Sequence, residues 1–173
     1  MQLVYYPDER LSRVCIPAQE FSELGVAKRA TVRDRRIKLS VDMWKIMEDN
    51  NGVGLAAPQV GLNHRMFVWR YNHANCAVWN PILTWLEGEE EAVEGCLSLP
   101  GISVVVKRAK ASTLSGTGED GSPFCMIGNS ILTRIWQHEI DHLDGKLIID
   151  NMNRNETISN RKALKRLRKK TVS

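Results

Sequence analysis

The spacing of apolar residues along the chain predicts two helices with a different kind of structure between them. Four apolar residues recur at helical intervals before the turn-prone residues 50–52, and they are Ile37, Val41, Trp44 and Met47. This pattern predicts a helix of about fifteen residues that ends at the turn. A second helix is predicted from Ile131 to Leu143, since its apolar residues are again helically spaced and Gly145 can end it.

Between the two helices the chain carries short runs of β-branched and aromatic residues. Asn, Gly, Pro and charged clusters separate these runs, as is typical of successive strands. The runs are residues 65–71, 76–80, 82–86, 102–106, 111–115 and 124–127. The order of helix, several strands and helix indicates an α+β fold with antiparallel sheet rather than alternating β-α-β units.

Composition narrows the class of protein. Apolar residues make up 43% and charged residues 25% of the 173 residues, as in soluble globular proteins. No apolar run reaches the roughly 18 residues that a membrane helix requires, so we expect no membrane span. The first residues include charges and lack an apolar stretch of signal-peptide length. We therefore expect a cytoplasmic protein in which all four cysteines are thiols.

The net charge of +4 is located at the C-terminal end. Residues 161–170 hold seven of the 24 basic side chains and no acid, which leaves 17 basic against 20 acidic, or −3, for the rest of the chain. We therefore divide the chain into a main domain, residues 1–152, and a basic tail, residues 153–173, that can be helical. Such a tail can bind phosphate groups of RNA, or it can simply be a solvated face.

The second predicted helix carries two histidines in positions that suit a metal ion. His138 and His142 are four residues apart, so they lie roughly 40° apart on the helix and one turn along. Both imidazoles can therefore reach one ion. The alternative is an ordinary core helix whose histidines are hydrogen-bonded.

The same helix places a carboxylate among apolar side chains. Glu139 lies in the middle of a half of the helix that also includes Ile131, Leu132, Ile135, Trp136, Ile140, His142 and Leu143. The opposite half is polar and consists of Ser130, Thr133, Arg134, Gln137, Asp141 and Asp144. Burial of a carboxylate costs several kcal/mol or raises its pKa unless a partner compensates. A cation held by the histidines would compensate, and so would an arginine in a purely structural core.

A third ligand is needed, because a catalytic site of this kind has three protein ligands and one open position. Downstream of His142 there is no histidine, and the only glutamate is Glu156 in the polar tail. Upstream, residues 94–101 present Cys96 between Gly95 and Leu97, in a sequence that predicts a tight turn. Taken alone, Cys96 would more often be a small buried hydrophobic residue.

Three segments together resemble the three motifs of peptide deformylases in order and spacing. These segments are GVGLAAPQ (52–59), EGCLS (94–98) and QHEIDH (137–142). The resemblance implies an α+β fold in which antiparallel sheets surround a central metal-binding helix, with residues 1–152 as the catalytic domain. It also implies a metal-dependent hydrolase that removes the N-formyl group from the initiator methionine of new polypeptides and releases formate.

The resemblance further implies roles for individual residues. The implied metal ligands are Cys96, His138 and His142, with ferrous iron as the ion and zinc, nickel or cobalt as substitutes. The implied catalytic groups are the Glu139 carboxylate as general base, with the Gln59 side chain and the Leu97 backbone N–H as oxyanion donors. The implied substrate contacts are main-chain groups of Val53, Gly54 and Gly95. Ile131 and Ile135 are candidates for the wall of a methionine pocket.

The implied partners are N-formylmethionyl peptides and, through a looser likeness of the basic tail, the ribosome. We expect a monomer. One alternative is a different metal-dependent peptidase or amidohydrolase, although a thiolate ligand weakens the Lewis acidity that peptide cleavage demands. Another is a binding module whose metal is structural. That module would need a fourth ligand, for which His64, His73 and Cys125 are distant candidates.

Overall fold

The computed structural model describes residues 1–20 and 23–170, so the last three residues of the expected basic tail, 171–173, lie outside the described part. This described part contains three α-helices: α1 (Val26–Asp49), α2 (Ser130–Leu143) and α3 (Arg154–Lys170). The strands are β1 (Gly54–Ala56), β2 (Met66–Tyr71), β3 (Ala74–Glu87), β4 (Glu90–Glu94), β5 (Val104–Arg108), β6 (Ala111–Thr117) and β7 (Pro123–Asn129). Single-turn 3₁₀ helices occupy Glu9–Ser12, Ala57–Val60 and Ile148–Asn151.

The strands form two antiparallel sheets. One has five strands in the order β1-β2-β3-β6-β7, and the other pairs β4 with β5. Helix α2 packs against β1, β2, β6 and β7 of the larger sheet. The α+β prediction, with antiparallel sheets around the helix that carries the two histidines, is therefore confirmed.

Helix α2 is anchored to the larger sheet by its apolar face. Trp136 is fully buried and meets Trp69 of β2 edge to face, with ring centroids 6.1 Å apart. Gly128 makes room for this packing, because a Cβ at that position would overlap the Trp136 ring. Thr133 was expected on the polar half of the helix, but it is fully buried and its hydroxyl is hydrogen-bonded to that of Ser112. The two hydroxyl groups thus satisfy each other's hydrogen-bonding capacity, so Thr133 can be buried without contact with water.

Helix α1 differs from its prediction in length and in orientation. It has 24 residues rather than fifteen, because its first turns are exposed and need no apolar stripe. Ile37 and Val41 are 43% and 54% exposed, and the buried side chains are Arg36, Ser40, Met43 and Met47. Met47 and the half-buried Trp44 thus face the core as the spacing predicts, whereas Ile37 and Val41 do not, because the Arg36 guanidinium is accommodated in the interior.

The strand predictions locate most of the sheet but divide it incorrectly. The runs at 76–80 and 82–86 form the single strand β3, which continues through Pro81 with a shift of pairing register between Trp79 and Ile82. Strand β4 was not predicted, since its EEAVE sequence is mostly acidic. It exists because β5 pairs with it along its whole length. All four cysteines are free, as predicted.

Helix α3 packs against the body of the protein. Leu167 is buried in a core cluster with Val4, Leu11 and Leu99. Two hydrogen bonds connect the helix to the region of β5. The Asn160 side chain donates to the carbonyl of Ser103, just before β5, at 3.1 Å. The N–H of Val105, in β5, donates to the Glu156 carboxylate at 2.7 Å. None of the helices within the described residues is long and apolar enough to cross a membrane.

Candidate active site

Two histidine side chains of helix α2 meet a cysteine side chain from a distant segment of the chain. His138 and His142 lie one turn apart on this helix, and Cys96 follows strand β4 in a turn closed by the Leu99 N–H and the Cys96 carbonyl. One donor atom from each of the three side chains lies within 4.8 Å of the others. The Cys96 Sγ is 3.2 Å from the His142 Nε2. The structure thus brings together the two histidines and the cysteine.

The donor set suits a divalent transition metal ion. Ions of this type bind thiolate sulfur at about 2.3 Å and imidazole nitrogen at about 2.0–2.1 Å, so tetrahedral ligands lie within the observed separation. Within the described residues no fourth side chain of this kind joins the group, and His64, His73 and Cys125 lie outside it. If these three side chains bind one ion, a fourth position would stay open, as in a catalytic rather than a structural site.

A network of charged groups orients the first histidine. His138 Nδ1 is 2.9 Å from a Glu94 carboxylate oxygen, which directs Nε2 to the opposite side of the ring. Arg108 donates to both oxygens of Glu94 at 2.9 and 3.0 Å, and Arg134 donates to one of them at 2.8 Å. Asp141 in turn accepts from Arg108. Burial raises the pKa of Glu94, but its hydrogen bonds with His138 and Arg108 lower it to about 2. Glu94 is therefore an anion.

The two histidines have opposite electrostatic surroundings. Burial alone lowers the pKa of His138, but hydrogen bonds with Cys96 and Glu94 raise it well above its ordinary value. Burial and the nearby His138 both lower the pKa of His142 well below its ordinary value. The group therefore favours one positive charge next to the sulfur and a second imidazole that stays neutral. A bound cation fits both conditions.

Glu139 is buried beside this group, as the helix pattern predicts. It is 3% exposed, and its Oε2 has no hydrogen-bond partner among the described residues. Burial raises the pKa of this carboxyl to about 7. Gly54 of β1 packs directly on it, because a Cβ at that position would overlap the carboxylate. The carboxyl group can therefore bind or release a proton at neutral pH without large rearrangement.

Gln59 is fixed on the other side of the cysteine. It lies in the 3₁₀ helix Ala57–Val60, it is 1% exposed, and its side-chain oxygen accepts from the Ala56 N–H at 2.8 Å. The amide nitrogen lies 3.4 Å from the Cys96 Sγ and 3.3 Å from the Ser98 hydroxyl. Because the oxygen is already bound, the N–H groups are directed toward the cysteine.

A cavity of about 460 Å³ adjoins these groups. Its lining includes the three expected substrate-binding residues Val53, Gly54 and Gly95, together with Gln59, Leu97 and Glu139. Ile131 and Ile135 line it as well. A cavity of this size accommodates a small peptide fragment, and its apolar wall suits an unbranched apolar side chain.

Two residues with positions at the site were not identified from the sequence. Glu94 holds a histidine, and the only sequence signal was its place as the first residue of the EGCLS motif. Arg134 lines the cavity although the helix pattern placed it on the polar half. Its guanidinium donates to the carbonyls of Val106 and Glu90 at 2.8 and 2.7 Å, which ties it to the smaller sheet. No local pattern could reveal that contact.

Comparison with known proteins points to one family. The family model for polypeptide deformylase matches residues 1–157, which include all three motifs. The peptide deformylase of Acidothermus cellulolyticus is 42% identical over 127 residues, covering 73% of this chain and 71% of that protein. The peptide deformylase of Dictyoglomus thermophilum is 43% identical over 125 residues, covering 72% and 82%.

Solved structures extend the likeness to almost the whole chain. The peptide deformylase from Thermus thermophilus matches with a TM-score of 0.84 and 35% identity over 97% of each chain. The peptide deformylase from Legionella pneumophila matches with a TM-score of 0.82 and 34% identity, covering 99% of this chain and 96% of the other. The chain therefore belongs to the peptide deformylase family, metal-dependent hydrolases that remove the N-formyl group from nascent peptides.

Proposed function

We propose that Cys96, His138 and His142 bind ferrous iron and that this centre removes the formyl group from N-formylmethionyl peptides. The observation that carries the proposal is the convergence of three donor atoms within 4.8 Å of one another, next to a buried glutamate with an unpartnered oxygen. A mixed thiolate and imidazole set also accepts zinc, nickel or cobalt. When bound, the ion supplies Lewis acidity, which lowers the pKa of a water molecule and polarises a carbonyl oxygen.

Glu139 acts as the general base and then as the general acid. It takes a proton from the water that attacks the formyl carbon, and it passes this proton to the amine as the C–N bond breaks. Formate and a peptide with a free α-amino group result. The proximity of its pKa, about 7, to neutral pH supports both transfers. Gly54 leaves room for the carboxylate in this position, since the Cβ of a larger residue would displace it.

Gln59 and Leu97 stabilise the negative charge that develops on the formyl oxygen. The Gln59 amide and the Leu97 backbone N–H are donors of the kind that form oxyanion holes. Support comes from the fixed orientation of Gln59, whose oxygen is held by the Ala56 N–H. Donors that are already oriented need no rearrangement as charge develops, so they favour the transition state over the substrate.

The peptide binds through main-chain groups of Val53, Gly54 and Gly95. Backbone pairing of this kind accepts many sequences, which suits an enzyme that acts on diverse new chains. The methionine side chain enters the apolar part of the cavity beside Ile131 and Ile135. Their position in the cavity wall supports this assignment.

The enzyme acts as a cytoplasmic monomer, with residues 1–152 as the catalytic domain and residues 153–173 as a basic segment that contacts the ribosome. A single chain supplies every proposed ligand and catalytic group, which supports a monomer. Helix α3 contains the basic run, and phosphate groups of RNA attract such side chains. New formylated chains emerge at the ribosome, so this location would bring enzyme and substrate together.

The test compares two peptides and two cysteine variants. Wild-type protein should release formate and free amine from formyl-Met-Ala-Ser and should leave Met-Ala-Ser intact. Cys96→Ala should lose its stoichiometric metal and lower turnover by more than about a thousandfold. The matched control is Cys125→Ala, which removes an exposed thiol of β7 and should retain both metal and turnover. Full metal content and full turnover in Cys96→Ala would refute the proposal.

Metal identity is tested separately. Protein purified without oxygen should contain one equivalent of iron by elemental analysis, and its activity should decay in air as the thiolate and the iron are oxidised. Protein loaded with nickel should keep its activity in air. Equal stability of the two forms would exclude ferrous iron as the labile native ion.

A further inference from the structure

The N-terminal residues 4–6, here called the crossing segment, connect the two motifs that carry the proposed oxyanion donors. The Val4 N–H donates to the Gln59 carbonyl at 2.8 Å, and the Tyr6 N–H donates to the Ser98 carbonyl at 3.0 Å. Ser98 directly follows Leu97. One short segment therefore binds the backbone of both donor segments, which are 37 positions or more apart in the chain.

The crossing segment is itself fixed at both ends. Val4 is 6% exposed and packs in the same core cluster as Leu99, which follows Ser98. Arg168 of helix α3 donates to the Tyr6 hydroxyl at 2.8 Å, and its guanidinium carbon lies 5.7 Å from the centre of the Tyr6 ring. The segment thus has side-chain anchors in addition to its two backbone hydrogen bonds.

The donors depend on such contacts because neither lies in a long regular element. Gln59 belongs to a single turn of 3₁₀ helix, and Leu97 lies in the turn after β4. The direct contact between the two motifs includes the Gln59 amide, which reaches the Ser98 hydroxyl at 3.3 Å. Stabilisation of an oxyanion requires its donors to be placed within a fraction of an ångström, so the spacing of the two backbones matters.

We propose that the crossing segment positions the two oxyanion donors relative to each other. Its residues are not among those that line the cavity or among the three metal-donor side chains, so they act through Gln59 and Leu97 as positioning residues. This inference rests on the donor roles given under the proposed function. It predicts that loss of either backbone hydrogen bond lowers kcat while KM is retained, since the transition state and not the bound peptide requires both donors.

The test removes single backbone N–H groups and leaves every side chain intact. A synthetic thioester of residues 1–14 is ligated to an expressed segment of residues 15–173, which begins with Cys15 and yields the full chain. An ester in place of the amide nitrogen of Val4 or of Tyr6 deletes one crossing hydrogen bond. The matched control is an ester at Asp8, which deletes the local hydrogen bond from the Asp8 N–H to the Tyr5 carbonyl at 3.1 Å. The ligated all-amide chain is the reference.

The Val4 and Tyr6 esters should each lower kcat about tenfold on formyl-Met-Ala-Ser, with KM within about twofold of the reference. The Asp8 ester should stay within about twofold in both constants. Equal kcat for all three esters would overturn the inference. It would also be overturned if the deficit vanished at a lower temperature at which every chain is fully folded, because the loss would then reflect unfolding.

A further variant separates this inference from the function on which it rests. Gln59→Ala, made in the unmodified chain, should lower kcat at least as much as either ester. If Gln59→Ala leaves kcat unchanged, the donor role fails and the inference fails with it. If Gln59→Ala lowers kcat and the two esters do not, the donor role stands and only the positioning role of the crossing segment is refuted.

Discussion

Two helices of this protein each bury an ionisable side chain, and the two side chains differ in how well their surroundings satisfy them. Arg36 of α1 and Glu139 of α2 are both 3% exposed. Arg36 lies over the Trp79 ring, 4.5 Å from its centre, and donates to the carbonyls of Gln19 and Gly118. Glu139 borders the cavity and has one oxygen without a partner among the described residues.

The comparison shows what separates a structural buried charge from a reactive one. Burial lowers the pKa of Arg36 and raises the pKa of Glu139, so each loses stability as an ion. Two carbonyl groups, an aromatic face and the carboxylates of Glu20 and Glu119 offset this cost for Arg36. For Glu139 the cost of burying the charge is only partly compensated, because one carboxylate oxygen has no hydrogen-bond partner among the described residues. The pKa of this carboxyl is therefore raised, and the group can accept and release a proton. Removal of the first charge should therefore harm stability, and removal of the second should harm turnover.

The largest effect is expected from Glu139→Gln. Amide in place of carboxylate removes the proton carrier, and kcat should fall by about a thousandfold or more. Bound metal and the urea midpoint of unfolding should be unchanged, because the three ligands remain. Glu23→Gln, at an exposed position before α1, is the matched control and should leave kcat unchanged. Retention of even a tenth of the turnover in Glu139→Gln would remove the general-base role.

Gly54→Ala should have the next largest effect. The added methyl group overlaps the Glu139 carboxylate and must displace it, and misplacement by about 1 Å can cost about a hundredfold in rate. The control is Gly25→Ala, whose added methyl group meets nothing within 4 Å. Steady-state kinetics on the formylated peptide provide the measurement. Equal rates for the two variants would show that Glu139 can move freely.

Arg36→Met should affect stability and leave the chemistry intact. Loss of the guanidinium leaves two carbonyls without their donor, and the free energy of unfolding should fall by about 3 kcal/mol. Urea denaturation measures this change, and kcat per folded molecule should stay constant. Arg35→Met, at the exposed neighbouring position, should change stability by less than about 0.5 kcal/mol. A large fall in kcat for Arg36→Met would show that this side chain also supports the reaction and is not purely structural.

The smallest expected effect concerns a neutral pair that is buried under α2. Thr133→Val leaves the Ser112 hydroxyl without its partner and should cost about 1–2 kcal/mol of unfolding free energy. Adding Ser112→Ala removes the stranded hydroxyl, so the double variant should regain part of this loss. An equal or larger loss in the double variant would show that packing, and not hydrogen bonding, dominates at this position.

Local sequence patterns predicted the parts of the fold whose packing follows from periodicity. The apolar spacing of α2 and the burial of Glu139 follow directly from its helical wheel. The same method located α1 and its C-terminal end, but it could not foresee that Arg36 and Ser40 would face the interior and that Ile37 would face outward. Strand β4 was missed for a related reason, since pairing with β5 and not its own composition makes it a strand.

For the candidate site, too, the sequence indicated the segments involved but not the long-range contacts that support them. The three motifs indicated which segments belong together, and the structure brings Cys96 next to both histidines. The supporting contacts of Glu94 and Arg134 could not be predicted, because they join β4, β5 and α2 across 14 to 44 positions of sequence. Such contacts depend on how the smaller sheet packs against the helix, and no local window contains that information.

The ion pairs around Glu94 have a consequence for how the protein acquires its metal. Two arginines from different elements hold this carboxylate, and the carboxylate holds the ring of His138, so the imidazole is aligned by the fold itself. Loading should then require little reorganisation and proceed quickly with any divalent ion of suitable size. Since the affinity of such a ligand set depends on the ion as well as on the fold, we expect supply in the surrounding medium to influence which ion is incorporated.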